Sequence, residues 1–201
     1  MNGSDLLRYA RCHRAVAVLS ATATVALLST LFGGTTIAVP SLGSGGVTTG
    51  VPYRHQLPLL SAVFLTATLD GTMSAHDRMA AFTPHRFGRV YRAGLLLTVA
   101  AFSFAAEALS GGLEAGTLFV RSLLIWLGLA LLSARLLGHQ LAWVIPLTSG
   151  FFLVWYPGNR LDWTDNPPTD PLSWALTATS LLAGTAALAA TPWRLKALRH
   201  R

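Results

Sequence analysis

Apolar residues gather into six long blocks along the chain, at positions 15–39, 57–74, 93–109, 117–137, 141–156 and 172–190, with most charged residues in the gaps. Within each block the apolar run is continuous. That excludes the in-out alternation of membrane strands and predicts helices. A lipid core of about 30 Å needs roughly 20 residues of helix at about 1.5 Å per residue, so each block approaches the length of a membrane crossing. The second is the shortest, an apolar run over 58–69 that Asp70 interrupts. The expected fold class is an all-α integral membrane protein of six transmembrane helices.

Charge then orients the chain. Arg8, Arg11 and Arg14 precede the first block, and Arg78, Arg86, Arg89 and Arg92 fill the second gap. Arg135 lies at the fourth gap, and Arg194, Lys196, Arg199 and Arg201 crowd the tail. The alternate gaps hold only Arg54 and Arg160, with Arg121 just inside the fourth block. Positive residues favour the cytoplasmic side, so both termini and the second and fourth gaps are expected inside. The net charge of +7 serves topology and anionic headgroups on this reading, and no nucleic-acid partner is expected.

The expected organisation is an amphipathic interfacial helix within 1–14, a six-helix membrane domain over 15–190 and a basic cytoplasmic tail over 191–201. The basic start and first block suit a signal sequence, but the run is long for one, and a retained anchor is expected. Cys12 stands alone, so no disulfide forms within the chain. Arginine outnumbers lysine, and Ala and Leu abound, a composition that fits a bacterial cell membrane. The gap over 40–56 is rich in Gly, Ser and Thr and reads as a loop. The gap over 110–116 reads as a tight outer turn. The gap over 157–171 carries Trp163, three aspartates and four prolines. It reads as an interfacial loop, with a short re-entrant segment at 161–163 as the alternative.

Enzymatic readings find little support. No G-x-x-x-x-G-K-[ST] motif occurs, so ATP hydrolysis would belong to another polypeptide. Ser149 and His139 are ten residues apart, about 15 Å along a helix, too far for nucleophile activation. The histidines show no paired spacing that would ligate a metal or haem. No cofactor is expected in this chain.

Specific information concentrates between the second and third blocks. Ser74 caps a short helix over 75–82, with Asp77 at its third position, and Thr83-Pro84 then gives a second start signal. Ala75, Met79 and Phe82 fall on one face of the short helix, as a helix docking into a groove requires. The alternative is an amphipathic linker lying on headgroups. In order, an acidic residue (Asp70), Gly71-Thr72, a short helix, Pro84-His85-Arg86 and the third span resemble the permease subunits of type II ABC exporters, the superfamily of drug, polysaccharide and lipid export permeases. This chain departs from the pattern in having Asp where Glu is usual and in short gaps around the fourth span.

The resemblance implies a transmembrane exporter subunit that forms the translocation path with a second, identical or paralogous, permease subunit. It also implies a separate ATPase chain, carrying ATP and magnesium, gripped through Asp70, Gly71, Thr72, Ala75, Met79, Phe82, Pro84 and Arg86. Two other classes compete: a non-transporting accessory, scaffold or immunity protein, and an ion-coupled carrier. The carrier lacks a broken span or a midplane carboxylate. Inside the membrane, Glu107 and Arg121 flank the tight turn, and a salt bridge between them is expected.

Overall fold

The structure, a computed structural model, describes residues 15–40, 48–66, 82–155 and 161–189. Its first element, α1 (Ala15–Phe32), contains no charged residue. It buries Ala15, Val18, Thr22, Val25, Ala26 and Ser29, a stripe at spacings of one to four residues. The opposite face is equally apolar and open, with Val16, Leu27 and Leu31 each more than half exposed. A helix apolar all round needs an apolar surrounding.

The helix ends at Gly33, whose N–H donates to the Ser29 carbonyl at 2.8 Å. The sequence extended this block to residue 39 and left 40–56 as loop; both readings need correction. Beyond Gly33-Gly34 the chain enters strand β1 (Thr36–Pro40), antiparallel to β2 (Thr48–Pro52), with Thr36 opposite Pro52 and Pro40 opposite Thr48. The two glycines disfavour further helix. The β-branched Thr35, Thr36, Ile37 and Val39 prefer an extended, paired backbone.

Directly after the hairpin, α2 (Tyr53–Thr66) begins, with Pro58 inside it. Next comes α3 (Phe82–Leu137), broken at Gly112, where φ is 87° and ψ 169°. Pro84 lies in the first turn, where its missing N–H leaves no helical bond unmade. Phe82, expected to close the preceding short helix, instead opens α3. Residues 67–81 lie outside the described residues.

The two arms of α3, 82–111 and 113–137, fold back on each other at the glycine. A Cβ placed on Gly116 would stand 2.9 Å from the carbonyl oxygen of Phe104. In an unbroken helix those residues would lie about 18 Å apart. The expected tight turn at 110–116 is therefore present.

A short 3₁₀ turn (His139–Leu141) leads to α4 (Val144–Trp155), and α5 (Pro171–Ala189) closes the described chain. Asp170 caps α5: its Oδ2 accepts the Ser173 N–H at 2.8 Å and the Ser173 hydroxyl at 2.6 Å. Pro171 at the first helical position completes a start signal.

The core follows the second arm of α3. Trp126, Leu123, Ile125 and Phe119 are essentially inaccessible, and α1, α2, α4 and α5 all pack on α3. The α3–α5 crossing is a backbone contact. A Cβ on Gly128 would lie 2.6 Å from the Ser180 carbonyl oxygen, and one on Gly184 would lie 2.5 Å from that of Gly128. Helices approach this closely only where side chains are absent.

Helical segments thus occupy all six places that the apolar blocks mark. Two stretches, Ala15–Phe32 and Val90–Leu137, are long and apolar enough to cross a membrane. With Leu97, Leu109 and Leu113 open on α3 as well, the outer surface is one that lipid tails would cover. The molecule is mostly helical, and these surfaces point to a membrane.

Candidate functional site: polar joints and a cleft at one end of the helices

The end of α1, the start of α2, the Gly112 turn, the end of α4 and the start of α5 all come to the same end of the helices, the end that the charge pattern assigns to the outside. Polar chemistry concentrates there. Arg54 Nε lies 2.8 Å from Glu107 Oε2, with Glu107 fully buried and Arg54 26% exposed. Two glycines make room for the guanidinium. A Cβ on Gly111 would come within 2.7 Å of Arg54 Nη1, and one on Gly33 within 3.1 Å of its Nε. The pair therefore ties α2 to α3 beside the end of α1. Glu107 Oε1 and the hydroxyl of Ser103, one turn earlier, are buried with no hydrogen-bond partner among the described residues.

This overturns the expected Glu107–Arg121 bridge. Glu107 precedes Gly112 by five residues and Arg121 follows it by nine, so Arg121 sits deeper by four residues, about 6 Å along the axis. It finds different partners. Nη1 donates to the Pro167 carbonyl, and Nη2 to the carbonyls of Trp163 and Asn166, all at 2.6 Å. Both terminal nitrogens of a fully buried guanidinium thus donate to main-chain oxygens of the loop over 161–170, while its Nε is buried with no hydrogen-bond partner among the described residues.

That loop folds between the helices instead of lying flat on their ends. Trp163 is buried and meets Trp126 edge-on, ring centroids 5.2 Å apart at 67°. The loop holds its own shape as well. Asp162 Oδ1 accepts from the Thr164 N–H at 3.1 Å and hydroxyl at 2.6 Å, and Asn166 Nδ2 donates to Ser173 Oγ at 3.2 Å. The re-entrant alternative at 161–163 thus describes part of a longer inserted segment.

Between the hairpin, α2, α4 and this loop lies a cleft with two compartments. The larger, about 250 Å³, is walled by Tyr53, Leu59, Leu147, Phe151 and Trp155. The smaller, about 90 Å³, is lined by His55, Asp162, Thr164 and Asp165. Val51, Pro52, Gln56 and Val154 border both, so the two lie side by side. His55 stands ahead of the expected second span. Burial pulls its pKa below the ordinary histidine value, Asp165 and Asp162 opposing the shift and Arg54 adding to it. At neutral pH the imidazole is therefore uncharged.

Of the residues expected to couple to an ATPase, Asp70, Gly71, Thr72, Ala75 and Met79 fall outside the described residues. Phe82, Pro84 and Arg86 have helical backbone at the start of α3. Ser149 donates to the carbonyls of Ile145 and Pro146 within its own helix, a structural engagement. Sequence reasoning missed Arg54 as a partner for Glu107, although a lone arginine in an otherwise uncharged outer gap was the available signal. Compared with known proteins, the chain matches no family model, no curated protein and no solved structure.

Proposed function

We propose that the chain is the transmembrane subunit of a bacterial ABC exporter, paired with a second permease subunit and driven by a separate ATPase chain. The observation that carries this reading is positional. Helical segments lie at all six places that the apolar blocks mark, and the Asp70-Gly71-Thr72 stretch closes the second block, just ahead of the gap where arginines gather. The absence of a P-loop motif in the sequence fits a subunit that relies on another chain for ATP.

In this reading the segment over 75–82 rests on the ATPase, and nucleotide-driven closure pushes it. The same push reaches α2 and α3, which flank that segment. These two helices are joined at their far ends by Arg54 and Glu107, so a tilt at one end works against a fixed joint at the other. Such a lever exchanges inward-open and outward-facing states by changing which contacts each state makes. The subunit would sit in the bacterial inner membrane as a multi-pass protein.

Co-purification tests the reading. A tagged chain brings down a P-loop ATPase identified by mass spectrometry, and Met79→Asp with Phe82→Asp lowers that yield at least tenfold while the chain stays in the membrane. An unchanged yield, or cargo moved equally well in vesicles lacking the ATPase, overturns it.

A further inference from the structure

We infer that the two-compartment cleft between α2, α4 and the inserted loop is a binding site for an amphipathic organic cation. The inference needs only this chain; it stands or falls separately from the exporter reading. The larger compartment offers a wall of Leu59, Leu147, Phe151 and Trp155. The rings of Phe151 and Trp155, both lining this compartment, lie with centroids 5.9 Å apart and tilted by 41°. Aromatic faces also attract a cation directly.

The smaller compartment supplies the charge. Asp162 and Asp165 line it, and no Lys or Arg among the described residues does. The nearby Arg54 is engaged by Glu107, and His55 is held neutral, so neither cancels the carboxylates. In a chain of net charge +7, a described lining that is acidic and holds no Lys or Arg selects against anions. The lining is also graded along its length. Apolar walls lead through Gln56, which borders both compartments, to the two aspartates. The larger compartment, about 250 Å³, is near the lower end of small-molecule sites, which begin near about 300 Å³. A compact ligand with a hydrophobic body and one positive charge suits the apolar wall and the carboxylates lining the adjoining compartment.

The probe is tetraphenylphosphonium, measured by equilibrium dialysis against the purified full chain in uncharged detergent micelles, with no ATPase present. Tetraphenylborate, of the same shape and opposite charge, is the control. The expected result is saturable binding of the phosphonium at least about tenfold tighter than the borate. Asp165 and Phe151 are exposed, so Asp165→Asn and Phe151→Ala leave helix content unchanged by circular dichroism. Each weakens phosphonium binding by about fivefold, and Asp165→Glu, which keeps the charge, restores it. Equal binding of borate and phosphonium overturns the inference, as does unchanged phosphonium affinity in either weakening variant.

Discussion

Glu107 is fully enclosed, and the cation that lies against its carboxylate is Arg54, at 2.8 Å. Removing one member of a buried ion pair leaves the other without compensation, which costs roughly 3 to 5 kcal/mol, whereas removing both costs far less. Glu107→Gln and Arg54→Gln should therefore each lower thermal stability in detergent markedly, and the double variant should recover much of the loss. A double-mutant cycle that is simply additive refutes the pairing. Asp170 adds a pH signature. Its pKa is held below the ordinary carboxylate value, chiefly by the Ser173 hydroxyl, then by the Ser173 N–H. A carboxylate whose folded pKa is depressed stabilises the fold above its unfolded pKa and loses that stabilisation as pH falls through the folded value. Melting temperature should thus fall at acidic pH by less in Asp170→Asn than in the parent chain. The partner of Glu107 was not legible in the sequence. Adjacency across a turn suggested Arg121, but the choice depends on helical depth and on which third helix approaches, and neither is written locally.

Elements were more legible than their partners. Among the described residues the apolar blocks located each α-helix, because a continuous apolar run of this length has few other uses, and Gly112 was legible as a turn from the glycines of the gap over 110–116. The β-hairpin was not, since Gly, Ser and Thr in the gap over 40–56 signal a loop as readily as a short strand pair. The crossing of α3 and α5 was not legible, since nothing in the sequence pairs Gly184 with Gly128. At that crossing a methyl group meets backbone that has no rotamer to yield. Gly128→Ala should destabilise the chain by about 1 to 3 kcal/mol, measured by thermal unfolding in detergent, and Gly128→Leu should prevent recovery of folded protein. Normal stability in Gly128→Leu would mean that α5 packs elsewhere.

On the scale of the whole molecule, the start of α2, the Gly112 region of α3 and the loop ahead of α5 are joined by polar contacts at the side assigned to the outside, while the end of α2 and the start of α3, which flank the segment assigned to the ATPase, lie at the other. Sidedness is directly measurable: single cysteines in a Cys12→Ser background at Leu113 and at Gly138 should react with impermeant reagent from opposite faces of intact cells, Leu113 from outside. Reaction of both from one face would remove the alternating topology. The inserted loop adds a consequence of its own. Arg121 grips carbonyl oxygens at Trp163, Asn166 and Pro167, and every amino acid carries a carbonyl. Replacing the Asn166 side chain should leave this anchorage intact, whereas inserting or deleting a single residue between positions 163 and 167 should misalign all three oxygens together. The plug is therefore indifferent to much of its spelling and strict about its length.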